Sequence, residues 1–198
     1  MAISFQYNKT SLQRLKKQLK IRENALPILK NKEAALRVEV KKARKEAESV
    51  AEQLEETIRQ HEEMAGLWEE FDFSLLEVEA VKVGSQKVAG VATPVLEEIE
   101  FVRHPFSLFN RPAWFPAGME LLKQWIELAL RRKVLLQKME RLEFARKKTT
   151  QKVNLYEKVQ IPGYEDAIRK IERYLEDEEN LAKAAQKIVK KRSNSEAL

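Results

Sequence analysis

The chain has 198 residues, of which 34% are charged, with only 5 glycines, 6 prolines and a formal net charge of +6. So many charged residues with so few turn-forming glycines and prolines are typical of long helices and exclude an ordinary compact globule. The sequence contains no cysteine, which excludes disulfides and a thiolate metal site. It shows no leader and no apolar run of roughly 20 residues, so we expect a soluble, cytoplasmic protein.

The first predicted element, residues 1–71, is a coiled-coil helix that begins near Ser11. Thr10 and Gln13 fit a capping box at its start. A seven-residue repeat then continues to residue 71 and predicts a left-handed supercoil with a partner helix. Its apolar seam residues are Leu12, Leu15, Leu19, Leu26, Leu29, Leu36, Val40, Ala43, Ala47, Val50, Leu54, Met64, Trp68 and Phe71. Arg22 is one of the polar exceptions, and Pro27 predicts a local kink rather than a break.

The middle segment, residues 72–117, changes character. Valine-rich runs at 75–83 and 87–102 predict two short strands of a hairpin, with the turn at residues 84–86. The stretch PFSLFNRPAWFPAG follows as a rigid apolar loop. Such a patch marks a surface for protein partners or for a membrane, or else its rings cap the end of the coiled coil.

The last segment, residues 118–198, is predicted to be the second coiled-coil helix. Its apolar stripe runs from Leu121 through Val153 to Ile188. Pro162 and Gly163 interrupt it, yet the stripe resumes in nearly the same phase. We therefore predict a kink or a local loosening inside one long helix.

The charge blocks predict that the two helices pair antiparallel within the chain. Residues 1–45 hold 13 Lys/Arg against 3 acids, whereas residues 46–71 hold 1 against 9. If residue i lies opposite about residue 189 minus i, opposite signs meet at both ends of the pair. The fold class is therefore all-α dominated: an antiparallel left-handed coiled-coil hairpin with a small β-hairpin insert.

Two basic surfaces have no predicted counterpart in the chain. One is a belt formed by the basic residues of 30–45 and 146–158, and the other is the helix end after residue 180. We expect acidic partners for both. With the basic start and the aromatic loop, they give these candidate partner contacts: Arg14, Lys16, Lys17, Lys41, Lys42, Lys147, Lys148, Lys152, Phe109, Trp114, Phe115, Lys190 and Lys191.

We find no motif in the sequence that indicates an enzyme. There is no GxxxxGK[ST] phosphate loop, and GSQKVAG at 84–90 lacks the Lys-Ser/Thr pair. His61 and His104 are far apart and have no nearby ligand set. We assign no catalytic, cofactor-binding or metal residue and expect no cofactor. The composition alone leaves a coiled-coil scaffold or tether and, less favoured, a nucleic-acid-binding coiled coil.

Three stretches resemble the D subunit of the vacuolar/archaeal-type (V/A-type) rotary ATPases. They are NKTSLQRLKKQL, KVAGVATPVLE and, most specifically, TTQKVNLYEKVQIPGYEDAIRKIERYLEDEE. The resemblance covers nearly the whole chain in the same order and spacing.

This resemblance implies a non-catalytic central rotor shaft that transmits torque between ATP hydrolysis or synthesis and ion translocation. The implied partners are the catalytic and non-catalytic subunits of the hexameric ring, the small F subunit of the central stalk and a membrane-side socket subunit. The implied location is the soluble sector, peripheral to the membrane. Nucleic acid is not an implied partner.

Overall fold

The computed structural model describes residues 3–107, 109 and 111–196, with side chains as far as Lys190. Helix α1 spans Lys9–Arg59 and is followed by two 3₁₀ segments, Glu62–Glu70 and Phe73–Leu75. Strands β1 (Leu76–Val88) and β2 (Val91–Arg103) form an antiparallel hairpin. Helix α2 spans Phe115–Leu155, and a π-helical turn at Tyr156–Gln160 leads into α3, Ile161–Glu196. This architecture confirms the predicted fold class.

The heptad repeat correctly predicts which face of α1 is buried. Every predicted seam position from Leu12 to Leu54 is buried or half-buried, and Leu36 is fully buried. Pro27 lies inside α1, and the helix continues past it. Tertiary packing of the seam therefore sustains a helix through a residue that removes one backbone hydrogen bond.

The chain divides into two compact units, residues 1–32 with 148–198, and residues 33–147. In the first unit Leu15, Ala167, Ile168 and Ile171 form the core between α1 and α3. The N-terminal segment packs on the same core through Ile3 and other apolar residues. This unit is held by burial on one seam, as expected for paired amphipathic helices.

In the second unit the core between α1 and α2 is formed by Leu36, Ala43 and Leu142. The tip of the hairpin packs against this cluster through Val88, Ala89 and Val91. A two-stranded hairpin is marginally stable by itself, so this contact gives it the apolar support that it needs.

The predicted end of the first helix is wrong. The helix ends at Arg59, and the chain then runs through 3₁₀ segments to Leu75. Met64, Trp68 and Phe71 keep a helical spacing, but Phe71 packs in an aromatic cluster with Leu75, Phe115 and Met119 instead of extending the seam. Burial of these large rings overrides the local periodicity.

The pairing register follows the predicted direction with a shift. Lys16, predicted to lie opposite residue 173, has its Nζ 2.7 Å from Oε1 of Glu172. Glu46, predicted to lie opposite residue 143, has its Oε2 3.5 Å from Nζ of Lys138. The observed partners thus lie one and five residues before the predicted positions on the second helical segment.

The hairpin turn lies at Ala89 and Gly90, not at residues 84–86 as predicted. Their φ angles are 49° and 76°, and Val88 pairs with Val91. Positive φ at both central residues is the geometry that suits the right-handed twist of two-residue hairpins.

Replacing Gly90 with alanine is expected to destabilise the protein by about 1–2 kcal/mol, because alanine is strained at positive φ. Chemical denaturation measures the change. Gly66→Ala is the matched control, since its added methyl group meets no atom within 4 Å and its φ is not positive. Equal stability of the two variants would contradict the assigned turn.

Candidate partner-docking surface

A groove of about 740 Å³ runs between α1 and α2 in the unit of residues 33–147. Its apolar floor includes Val40, Ala47, Leu136 and Met139. Ala47 on the α1 seam and Ala51 one helical turn later have small side chains, which leave the depression open. Five cations and two acids form its walls: Arg37, Lys41, Arg44, Arg132, Arg146, Glu48 and Glu143. We call this surface the basic groove.

Ion pairs fix part of the groove wall. Arg146 binds Glu143 with two bonds, Nε to Oε2 at 2.9 Å and Nη2 to Oε1 at 2.6 Å. This hydrogen bonding lowers the pKa of Glu143 and raises that of Arg146, so both stay charged at neutral pH. A carboxylate oxygen of Glu33 lies 3.0 Å from Nη2 of Arg37 and 3.8 Å from Nη1 of Arg146.

Two cations of the groove have no ion pair among the residues that the structure describes. These are Lys41 on α1 and Arg132 on α2, and both are exposed. An apolar floor between unpaired cations suits an amphipathic segment that carries acidic residues along its edges. Such a contact desolvates the floor, and its charges set orientation and association rate.

The belt predicted from the sequence is partly neutralised within the chain. Nζ of Lys30 lies 2.6 Å from Oε1 of Glu157, and Arg44 pairs with Glu48 at 3.1 Å. Surface pairs of this kind contribute roughly 0–1 kcal/mol each, but they remove cations from the set available to a partner. Lys41 lies in the groove, whereas the other predicted belt contacts are exposed outside its lining: Lys42, Lys147, Lys148 and Lys152.

The three aromatic candidates differ in exposure. Phe109 is 99% exposed, Trp114 is half-buried, and Phe115 is 1% exposed in the core. Phe115 is therefore a structural residue here and not an accessible contact. The ring centroid of Phe115 lies 5.2 Å from that of Phe71 and 5.1 Å from that of Trp114.

A salt bridge ties the aromatic loop to this cluster. Nη2 of Arg111 lies 2.7 Å from Oδ2 of Asp72, and its guanidinium lies 5.6 Å from the centroid of Phe115. Hydrogen bonds from Ser74 and Arg111 lower the pKa of Asp72, so this carboxylate stays ionised in the native state.

The remaining candidates lie in the other unit. Arg14 and Lys17 are exposed on α1, while Lys16 is already paired with Glu172. Lys190 is exposed near the end of α3, and the side chain of Lys191 lies outside the described residues.

The groove could not be predicted from the sequence, because its apolar floor forms only when α1 and α2 lie side by side. Arg132 and Leu136 are on α2 and meet Lys41 and Val40 only when the two helices are placed side by side. Two features of the sequence could have indicated the groove: alanine at positions 43, 47 and 51, and Leu136, an apolar residue beside the seam.

Comparison with known proteins decides the family. A family model for the D subunit of ATP synthase matches residues 11–191. The chain belongs to the family of ATP synthase D subunits. Among its relatives, the V-type ATP synthase D subunit of Borreliella burgdorferi is 33% identical over 186 residues, covering 92% of this chain and 91% of that protein.

Two further D-subunit relatives match most of the chain at lower identity. The V-type ATP synthase D subunits of Chlamydia pneumoniae and Chlamydia trachomatis serovar L2 are each 26% identical to this chain. The first alignment covers 89% of this chain and 87% of the relative, and the second covers 97% of both. Within the described part of this D-subunit chain, no helix has the length and hydropathy of a bilayer-spanning segment.

Proposed function

We propose that this chain is the central rotor shaft of a V-type ATPase or ATP synthase. In this role it is non-catalytic and transmits torque between the ATP-hydrolysing or ATP-synthesising hexamer and the ion-translocating membrane ring. The observation that carries the proposal is the D-subunit family match over residues 11–191. The long seam of paired helices supports it, because interdigitated seam residues resist twisting.

The proposal assigns a role to each part of the chain. Helices α1, α2 and α3 form the shaft that meets the catalytic and non-catalytic subunits of the ring. The segment 72–117, with exposed Phe109, meets the membrane-side socket subunit. The complex places the chain in the cytoplasm, peripheral to the membrane. No nucleic acid is involved.

The basic groove supports a lateral contact with the small F subunit of the stalk. Its apolar floor provides buried area, and Lys41 and Arg132 provide unpaired charge for acidic residues of that partner. Exposed charges of the shaft contribute weakly per pair, which allows its contacts with the ring to be released and formed again as it turns.

Co-expression with the other subunits tests this proposal. We expect the wild-type chain to purify with the hexamer and with the small stalk protein, and the absence of any complex would overturn the proposal. In the double variant Lys41→Glu/Arg132→Glu, we expect binding of the small stalk protein to weaken by about tenfold or more, since like charges then face an acidic segment.

The matched control is Lys133→Glu/Arg141→Glu, which makes the same charge change at one exposed lysine and one exposed arginine of α2 outside the groove. The affinity of the purified shaft variants for the small stalk protein is measured by titration. Equal loss in both double variants would mean that net charge, not the groove, determines binding.

A further inference from the structure

Arg22 occupies a seam position of α1 where the repeat predicts an apolar side chain. Its Nε donates to Oε1 of Gln160 at 2.6 Å. Its Nη1 donates to the backbone carbonyl and to Oε1 of Gln18, at 3.0 and 2.7 Å. The half-buried guanidinium therefore has several acceptors and is not an uncompensated charge in the seam.

The contacts of Arg22 converge on the π-helical turn. Gln160 is the last residue of that turn and Tyr156 the first. The guanidinium carbon lies 5.8 Å from the ring centroid of Tyr156 and 4.5 Å from that of Tyr164. Stacking over aromatic faces stabilises the cation where it is partly desolvated. One side chain of α1 thus contacts both ends of the turn.

The π turn also corrects the phase of the seam. A strict seven-residue repeat through Val153 and Tyr156 would continue to residues 160, 163, 167 and 170. Of these positions Lys170 is exposed, whereas Ile168 and Ile171, each one residue later than the repeat predicts, are buried beside Ala167. A π turn accommodates one additional residue, so the stripe is displaced by one position beyond it.

Pro162 favours the same wide turn. Its ring would clash with the carbonyl four residues earlier in a regular helix, and it has no N–H to donate. In the π turn the N–H of Ile161 bonds to the carbonyl of Tyr156, five residues back. The proline therefore disfavours a regular α-helical turn at this position.

We propose that Arg22 is a register lock. It stabilises the π turn over a regular α-helical turn, and so fixes which face of α3 packs on α1. A polar side chain at one seam position is an established way to specify register in a coiled coil. Here the lock works through Gln160 and Tyr164, the partners of Arg22 at the end of the π turn and beyond it, which come into reach when that turn is formed. The inference concerns this chain alone and does not depend on the proposed rotor function.

A double-mutant cycle tests the lock, with Arg22→Leu as one change and deletion of Val159 as the other. Val159 belongs to the π turn and is 41% exposed, and its deletion removes the additional residue. Leucine is the ordinary seam residue and would normally stabilise a coiled coil. We expect Arg22→Leu to lower the midpoint temperature of thermal unfolding in the full-length chain. In the variant that lacks Val159, the same substitution should leave this temperature unchanged or raise it.

Amide hydrogen exchange gives an independent readout on the same protein. In Arg22→Leu, exchange at residues 156–161 is expected to rise about tenfold, since charge-assisted bonds to the turn are lost. Arg22→Lys, which keeps the charge but not the planar fork, should give a smaller rise. Lys20→Leu is the control on the exposed side of α1 and should leave the turn unchanged.

Two results would overturn the register lock. One is an equal effect of Arg22→Leu on the midpoint with and without Val159, which would show no coupling between the arginine and the additional residue. The other is unchanged exchange at residues 156–161 in both Arg22 variants. If the variant that lacks Val159 does not fold, the exchange measurement on the Arg22 variants still tests the register lock.

Discussion

Replacing Phe115 with alanine is expected to lower the free energy of unfolding by about 3–5 kcal/mol. The ring is 1% exposed and packs in the cluster with Phe71, Leu75 and Met119. Its removal leaves a cavity at the start of α2 and takes away the aromatic face over which Arg111 lies. Chemical denaturation of the purified chain measures the loss.

Phe109→Ala is the matched control, because the same ring is removed where it is 99% exposed. This variant is expected to change stability by less than about 0.5 kcal/mol. Under the proposed function it weakens binding to the membrane-side subunit instead. A similar loss of stability in both variants would contradict the assignment of Phe115 to the core and Phe109 to the surface.

Replacing Leu142 with aspartate is expected to disrupt the seam of the unit formed by residues 33–147. Leu142 is fully buried and packs with Leu36 and Ala43. A carboxylate there loses its hydration with no apolar contact in return, which costs about 4 kcal/mol or more. Under the proposed function, we expect ATP-driven ion transport by the assembled complex to fall to background while the nucleotide sites still bind ATP.

Gln137→Asp is the control for this variant, since it introduces the same side chain at an exposed position of α2. It should leave both stability and ion transport close to wild type. Ion transport is followed in vesicles that contain the complex, and nucleotide binding is measured on the same preparation. Normal transport with Leu142→Asp would show that an intact seam is not required for coupling.

The sequence was informative wherever one physical rule determined the outcome. Burial of the α1 seam followed from its heptad repeat, since a one-sided apolar stripe has a single way to leave water. The antiparallel sense followed from the charge blocks, and the pair formed by Lys16 and Glu172 agrees with it. Pro162 indicated a local loosening, which the structure shows as a π turn.

Where two local rules compete, the sequence was less informative. Gly84 and Ser85 look like a turn, but Gly84 lies in β1 opposite Val95, where Glu97 occupies the space of an absent side chain. The observed turn at Ala89 and Gly90 is set by the register of the whole hairpin and by its packing on α1 and α2. That packing is a long-range contact, which no short window of sequence contains.

The basic groove was beyond sequence reasoning for a related reason. The charge of its walls was visible as a belt, but pairing inside the chain decides which cations remain available. Arg37, Arg44 and Arg146 have carboxylate partners, whereas Lys41 and Arg132 have none among the described residues. Only placement of side chains separates these two groups.

Rotation of this chain inside the complex is the most direct test of the rotor proposal. The sequence has no cysteine, so Glu79→Cys on the exposed surface of β1 provides a single attachment point for a bead. With the hexamer fixed to a surface, we predict stepwise rotation of the bead in one direction that requires ATP. A stationary bead on a complex that continues to hydrolyse ATP would contradict the proposal.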